Sequence, residues 1–390
     1  MTHASDPLPT AAAIAAALAH EAVWYRGQCN WAGPDGALSP ALGDGTAGIA
    51  LFLAGLHAAS GGAEVRRTAL GAIGQALAHA GELPADGLYD GRPGVAVAAA
   101  RCALLLGDER LRAHAARLAR APRRAPAAAH DLSAGTAGTI AALLALARLL
   151  PDERLVARAA RLGDELTAAA RRGAGGWSWA PAGAPADHGL CGVAHGTAGA
   201  AWALLELFAA TGAEHHRDAA RRALDHAHHW FDGAHGDWPD LRGVRRREPR
   251  GSFRSPYPGT WRDGAPGIAL VLLRAQAVLG DERAGALAKL ALATTSARAQ
   301  ETLREHDADF TLAAGLAGSA DALLQGGATA LARHIGDVAV GRYAGELDGW
   351  PCGRAGGGRA PSLLRGHAGI GLFYLRLHDA ATPSALLLAP

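Results

Sequence analysis

The chain has 390 residues and a formal net charge of +2, with 38 basic side chains against 36 acidic ones. This balance argues against a nucleic-acid-binding protein, which needs a strong basic excess. Hydrophobic residues make up 49% of the chain, which excludes a disordered chain, and the 52 glycines follow no G-X-Y period, which excludes collagen. Four cysteines are too few for a disulfide scaffold of this length.

The N-terminal stretch MTHASDPLPTAAAIAAALAHEAVWY carries no Arg or Lys before its Ala-rich segment. It therefore lacks the charged region that opens a signal peptide, and it predicts a first helix. No apolar run reaches the roughly 18 residues needed to span a bilayer. We expect no membrane span and a cytoplasmic location.

A G-x-x-G pair followed by a strongly apolar run recurs along the chain. The seven copies begin at Gly45, Gly91, Gly135, Gly196, Gly264, Gly315 and Gly366. Several runs end at Gly or Pro, and an acidic residue then opens a charged stretch, as in LGDERLR and LPDERLV. This order is typical of a helix, a turn and a second helix. The apolar runs predict buried inner helices, and the charged stretches predict amphipathic outer helices.

The two glycines of each pair lie where an inner helix is predicted to begin. A residue without a Cβ lets two backbones approach closely, and a helix N-terminus presents unpaired N–H groups. Inner helices that point in one direction would gather these ends at one mouth of a barrel. For most of the individual glycines, close helix packing is the favoured explanation over a role in chemistry.

These repeats, with AHGTAGA at 194–200 and WRDGAPGIAL at 261–270, resemble the LanC-like lanthionine cyclases over about residues 44–377. The resemblance implies an all-α fold, an (α/α)7 toroid, which we expect as a single domain over residues 1–390. Irregular excursions are expected at about 171–190 and 232–260. The resemblance also implies that a peptide Cys thiol adds to a dehydroalanine or dehydrobutyrine. The implied partners are a dehydrated, Cys-containing precursor peptide and the kinase or lyase that dehydrates it.

This sequence departs from the family at its zinc ligands. The family pattern is Trp-Cys-x-Gly in the fifth repeat and Cys-His-Gly in the sixth, but here Arg262, Ala313 and Ala314 occupy the three ligand positions. A catalytic zinc site needs three protein ligands, so we expect neither a metal nor another cofactor. Cyclase domains fused to kinases in the wider family are similarly metal-free, and loss of the ligands does not by itself predict inactivity.

Two other family positions are retained. His195 matches the residue that the family uses as general acid and base, and an unperturbed His titrates near pH 6.5, which suits proton transfer at neutral pH. Asp131 matches an Asp placed ahead of the third repeat. It is predicted either to orient His195 or the substrate, or to cap the following helix.

Arg262 has two interpretations. Its cationic side chain would lower the pKa of a substrate thiol and hold the thiolate or enolate, or it would neutralise Asp263 next to it and fill the vacant ligand position. We take Arg262 and Asp263 as catalytic candidates. Tyr257 joins them as a hydrogen-bond donor at the mouth, with a packing role in the loop as its alternative.

Three further residues are candidates for substrate binding. His367 is the first x of the last G-x-x-G, Trp261 opens the fifth motif, and Arg254 lies near Pro258, where the family has an Arg. One more possibility is a relocated metal site at His188, Cys191 and His195, which have zinc-ligand chemistry but no evident fourth ligand.

The leading hypothesis is a zinc-independent lanthipeptide cyclase. One alternative is an inactive scaffold that binds the precursor peptide and presents it to a partner kinase or lyase. The other is a different lyase or isomerase reaction on the same peptide. Retention of His195 and Asp131 favours a catalytic function, whereas the absence of the zinc ligands favours a scaffold that only binds the peptide.

Overall fold

The structure, a computed structural model, describes residues 6–33, 36–121, 129–181, 188–242, 256–344, 349–352 and 360–387. Helices dominate the described residues. They are α1 (Leu8–Glu21), α2 (Thr46–Ser60), α3 (Ala63–His79), α4 (Arg92–Leu106), α5 (Glu109–Arg120), α6 (Thr136–Leu149), α7 (Glu153–Ala168), α8 (Thr197–Thr211), α9 (Glu214–Trp230), α10 (Ala265–Leu279), α11 (Glu282–Thr302), α12 (Leu316–Gln325), α13 (Thr329–Tyr343) and α14 (His367–His378).

Strands are confined to short antiparallel hairpins in the part of the chain that the structure describes. They pair β1 (Val23–Tyr25) with β2 (Gln28–Asn30), β3 (Ala32–Gly33) with β4 (Gly36–Ala37), and β5 (Arg171–Gly173) with β6 (Gly176–Ser178). The last hairpin falls within the predicted excursion at about 171–190.

The predicted helix starts are confirmed at all seven G-x-x-G pairs. The first glycine of each pair is the N-cap of an apolar helix, in the order α2, α4, α6, α8, α10, α12 and α14. Helix α8 shows why these runs are apolar on every side, because residues 197–207 are all buried. The charged stretches form the next helices. Asp108 and Asp152 cap α5 and α7 by accepting hydrogen bonds from first-turn N–H groups, as their position after Gly or Pro predicts.

The chain forms two compact units. The first comprises residues 1–84, 89–121 and 299–390, and the second comprises residues 85–88 and 122–298. In the first unit α14 packs against α2 and α12, and α2 packs against α4. Helix α1 packs against α14, so the N-terminal helix covers the last apolar helix. In the second unit α8 packs against both α6 and α10, and also against α7 and α9.

Backbone hydrogen bonds join the loops that lead into neighbouring apolar helices. In the second unit the N–H of Ser133 donates to the carbonyl of Ala194 at 3.0 Å, and the N–H groups of Val193 and Ala194 donate to the carbonyl of Arg262 at 3.0 and 3.1 Å. The loops before α6, α8 and α10 therefore lie side by side. This contact brings the neighbourhoods of Asp131, His195 and Arg262 together.

A buried carboxylate links the far ends of the same three helices. Glu206 of α8 accepts a hydrogen bond from Arg148 of α6 at 2.5 Å and from Arg274 of α10 at 2.6 Å. Glu206 is almost fully buried, whereas both arginines are partly exposed. A buried carboxylate is tolerated when its oxygens are paired in this way.

Replacing Glu206 with Ala is expected to destabilise the protein by about 2–3 kcal/mol, because two partly buried guanidinium groups lose their counter-charge. Urea unfolding followed by circular dichroism measures the change. A Glu109→Ala substitution is the matched control, since Glu109 pairs with Arg112 on the exposed surface and should change stability by less than about 0.5 kcal/mol. Equal effects of the two substitutions would contradict a buried network.

The remaining fold predictions concern the cysteines and the membrane. Cys29, Cys102, Cys191 and Cys352 all lie in the described ranges, and none of them takes part in a disulfide bond. Among the residues described, no helix combines the length and apolarity needed to cross a bilayer.

Candidate functional site

The two retained family residues form a hydrogen-bonded pair. His195 immediately precedes Gly196, the N-cap of α8, and Asp131 lies four residues before Gly135, the N-cap of α6. The Nδ1 atom of His195 is 3.1 Å from Oδ2 of Asp131. Because α6 and α8 pack against each other, their entry loops hold the two side chains at this distance.

The contacts of Asp131 are compatible both with orienting His195 and with capping α6. Its Oδ1 accepts hydrogen bonds from the backbone N–H groups of Ala134 at 2.8 Å and Gly135 at 3.1 Å, which caps the start of α6. Its Oδ2 is left to face His195. The carboxylate is buried and held at three points, which fixes its position beside the imidazole ring.

The His195 side chain is 35% exposed, so it is open to a reactant. A carboxylate accepts hydrogen bonds, so Nδ1 of His195 carries the proton that faces Asp131. Nε2 of the neutral ring then carries the lone pair. The pair can take a proton at Nε2 and return it, as general acid–base catalysis requires.

Arg262 is paired with Asp263. Its Nε donates to Oδ2 of Asp263 at 2.8 Å, and Arg242 donates to Oδ1 of the same carboxylate at 3.0 Å. Arg242 also donates to Asp240 at 3.0 Å. The cluster of two arginines and two aspartates therefore has a net formal charge of zero. The geometry thus provides the neutralisation of Asp263 that was one of the two interpretations of Arg262; a catalytic role for Arg262 and Asp263 remains a prediction.

Arg242 is the part of this cluster that sequence reasoning missed. It belongs to the run LRGVRRREPRGSFR, of which residues 243–254 lie outside the described residues. Nothing in the local sequence shows that Arg242 reaches Asp263, because the two residues are 21 positions apart in the chain. Arg254, a predicted substrate-binding residue in the same run, lies outside the described residues.

The residues at the family's ligand positions do not fit a zinc ion. The guanidinium of Arg262 is permanently protonated and its Nε is bound to Asp263, so it offers no lone pair. Ala313 and Ala314 have methyl side chains without a donor atom. Zinc requires thiolate, imidazole or carboxylate ligands, and none of the three positions supplies one.

Tyr257 donates its hydroxyl proton to Oδ2 of Asp232 at 2.6 Å. The ring of His235 stacks on Tyr257 with centroids 4.0 Å apart, and Nδ1 of His235 is 3.1 Å from Asp232. The hydrogen bond from Tyr257 is the main reason that the pKa of Asp232 falls to about 2. These contacts favour the packing alternative for Tyr257 and give its hydroxyl a structural acceptor.

Replacing Tyr257 with Phe is expected to weaken the pH dependence of stability in acid. The pKa of Asp232 in the folded chain, about 2, lies below the unfolded value near 4. Asp232 therefore stabilises the fold above pH ~4, and this contribution is lost as the pH falls towards 2. Because Asp232 is about one-third exposed, the loss at pH 7 should stay below about 1 kcal/mol.

Urea unfolding at several pH values between 2 and 7 measures this effect. A Tyr343→Phe substitution is the control, because that hydroxyl donates to the backbone carbonyl of His306 and touches no carboxylate. It should lower stability equally at every pH. The same pH-independent behaviour in Tyr257→Phe would contradict the assignment to Asp232.

Two other predicted substrate-binding residues are buried. Trp261 is 1% exposed and His367 is 3% exposed. Both side chains belong to the packed interior, so neither presents a surface to a peptide in this structure. Their place beside the glycine pairs was the only sequence signal for them, and it does not show which way a side chain points.

The structure does not assemble the alternative metal site at His188, Cys191 and His195. Over the ranges that are described, no group containing all three has its ligand atoms within 4.8 Å of one another. His188 instead packs edge-on against Trp230 with centroids 5.0 Å apart, and Cys191 is buried. The spacing of these residues alone was not enough to predict a metal site.

Comparison with solved structures shows the fold. The chain is similar to nisin cyclase, with a TM-score of 0.66 and 18% identity over 90% of this chain and 92% of that one. A GH76 α-mannanase from Bacteroides thetaiotaomicron has a TM-score of 0.51 at 11% identity over 96% of each chain. The likeness to nisin cyclase confirms the predicted all-α fold class, the α/α toroid.

Comparison of sequences shows the family. No curated protein matches the chain. The model of the family described as "Lanthionine synthetase C-like protein" matches residues 36–387, which is most of the chain. This match agrees with the family predicted from the G-x-x-G repeats and the motifs around His195 and Gly264. The chain belongs to the lanthionine synthetase C-like family.

Proposed function

We propose that the protein is a zinc-independent cyclase of lanthipeptide biosynthesis that forms thioether rings in a dehydrated, Cys-containing peptide. The hydrogen-bonded pair of His195 and Asp131 is the observation that carries this proposal. Family membership and the likeness to nisin cyclase support a peptide substrate. The side chains of Arg262, Ala313 and Ala314 offer no atom that can ligate a metal, which supports a reaction that does not use the family's zinc ion.

In the proposed reaction Nε2 of His195 removes the proton from a Cys thiol of the peptide. The sulfur then forms a bond to Cβ of a dehydroalanine or dehydrobutyrine, and the electrons of the C=C bond move towards the adjacent carbonyl to give an enolate. The imidazolium returns the same proton to Cα. Atoms and charge balance without any further reactant, and Asp131 stabilises the imidazolium between the two proton transfers.

Binding both reacting groups of one peptide supplies a further part of the rate. The addition becomes unimolecular once the thiol and the alkene are held in reach, and effective molarities for such reactions are high. This contribution is important without a zinc ion, because no Lewis acid lowers the pKa of the thiol. Arg262 is the cation assigned to the thiolate or enolate in this proposal, although its pairing with Asp263 weakens its attraction for a thiolate.

A second function, an inactive scaffold for the precursor peptide, is favoured by a separate observation. The residues at all three ligand positions of the family lack a metal-ligating atom. Their replacement would remove the activation of the thiol by zinc that the family uses. Such a chain would bind the peptide and present it to a kinase or lyase. The two functions differ in whether free thiol disappears.

The test uses a synthetic peptide with one dehydroalanine and one downstream Cys. The peptide is incubated with the protein in EDTA, and remaining thiols are alkylated and counted by mass spectrometry. The cyclase is supported if thiol disappears faster than in a protein-free control. Thiol loss equal to that control, together with measurable peptide binding by fluorescence anisotropy, would contradict the cyclase function and support the scaffold function.

A further inference from the structure

We propose that Asp164, His215 and His216 form a binding site for a divalent transition-metal ion of the zinc type. Asp164 lies on α7, and the two histidines lie in the first turn of α9. The ligand atoms of these three side chains all lie within 4.8 Å of one another, and no other group of three in the described residues meets this criterion. The site does not depend on the proposed cyclase activity and shares no residue with it.

Two of the three separations between the ligand atoms match those found around one metal ion. Nε2 of His215 is 3.0 Å from Oδ1 of Asp164, and Nε2 of His216 is 3.1 Å from the same oxygen. Ligands at about 2.0–2.1 Å from a zinc ion are separated by about 2.9–3.4 Å for angles between octahedral and tetrahedral. Both observed distances fall in this range, and the two imidazole nitrogens lie within 4.8 Å of each other.

The packing around His216 holds one ligand in place. His216 is fully buried, and its ring lies against Gly163, where an added Cβ would be 2.8 Å from Nε2. Only a residue without a side chain at position 163 leaves room for this ring.

His216 also has a buried polar atom that the hydrogen bonds of the fold do not explain. Its Nδ1 is buried and has no hydrogen-bond partner, while its Nε2 faces Asp164. Metal ligation at Nε2 would move the ring proton to Nδ1, and the hydrogen bond to Asp164 would give way to shared coordination of the ion. The buried Nδ1 proton would then have no acceptor in the fold, which lowers the affinity of the site for a metal.

The other two ligands are open to solvent, since the side chains of Asp164 and His215 are 61% and 62% exposed. Water can therefore complete the coordination sphere, and the ion can exchange with bulk solution. Two imidazoles and one carboxylate suit zinc, copper, nickel or cobalt, whereas magnesium and calcium prefer oxygen ligands. A bound ion would join α7 to α9 in the second unit.

Metal titration tests the site, with zinc and cobalt as probes. The full chain, first stripped with EDTA, is dialysed against micromolar zinc and its metal content is measured, and cobalt binding is followed by d–d absorption. Asp164→Asn and His215→Ala change exposed side chains, so both variants should fold. Loss of one ligand is expected to weaken zinc binding by more than about tenfold. His114→Ala, which removes an exposed His of α5, should bind zinc as the wild type does.

A melting curve provides the second readout. Zinc should raise the melting temperature of the wild type and of His114→Ala, because the ion binds only the folded chain. It should not raise that of the two ligand variants. The proposal is overturned if the wild type binds no zinc, or if Asp164→Asn and His215→Ala bind it as tightly as the wild type does. The second outcome would place the bound ion at other histidines.

Discussion

Replacing His195 with Ala is expected to slow thioether formation about 10²- to 10⁴-fold, the range that a general acid–base residue contributes. The substitution removes both the acceptor of the thiol proton and the donor to Cα. His195 is partly exposed, and its ring bonds only to Asp131 among the described contacts, so the fold should persist. The measurement is the rate of thiol loss from the dehydroalanine peptide in EDTA, with peptide affinity determined in parallel.

The substitution Asp131→Asn tests the His195–Asp131 pair without removing the cap of α6. The Asn side-chain oxygen can still accept from the N–H groups of Ala134 and Gly135, so the cap of α6 is kept. Its amide N–H₂ would face Nδ1 of His195 and favour the tautomer with the proton on Nε2, which removes the base. We expect a rate loss approaching that of His195→Ala with nearly unchanged stability. A wild-type rate in either variant would exclude this pair as the proton carrier.

The fold was predictable where the controlling signal is local. Each inner helix begins at a glycine of a G-x-x-G pair, and Asp108 and Asp152 follow turn residues and cap the next helix. The packing of α1 on α14 was not predictable, because it joins the two ends of the chain and no pattern within either helix specifies it. For the same reason the contacts of Glu206 with Arg148 and Arg274 have no counterpart in the sequence pattern.

The candidate site was predictable only in part. The resemblance to the family pointed to Asp131 and His195, and the structure places them 3.1 Å apart. The motif did not reveal that Asp131 serves two partners at once, because this depends on the curvature of the loop before α6. Nor did it reveal that Arg262 shares Asp263 with Arg242. A side chain beside a glycine pair can point inwards or outwards. The burial of Trp261 could therefore not be predicted from its place in the motif.

The glycine pairs permit a close contact between a helix and the loop that leads into it. In α2, α6, α8, α10, α12 and α14, a Cβ on the second glycine would fall within 3.0 Å of the carbonyl oxygen six residues earlier. Gly138 illustrates the constraint, since the atoms that a Cβ would meet are the carbonyl of Leu132 and the N–H of Leu88. Both are backbone atoms in hydrogen-bonded loops, and the N–H of Leu88 itself donates to that carbonyl at 3.1 Å.

Replacing Gly138 with Ala is therefore expected to cost about 3 kcal/mol or more, because the loop that carries Asp131 has to move away from α6. Gly341→Ala is the matched control in α13, where a Cβ would meet nothing within 4 Å. That substitution should raise stability by about 0.5–1 kcal/mol, since Ala loses less backbone entropy in a helix. Urea unfolding of both variants gives the comparison. If Gly138→Ala were as stable as Gly341→Ala, the pairs would not be needed for close packing, and their recurrence would instead have to reflect the N–H groups that they expose at the helix starts.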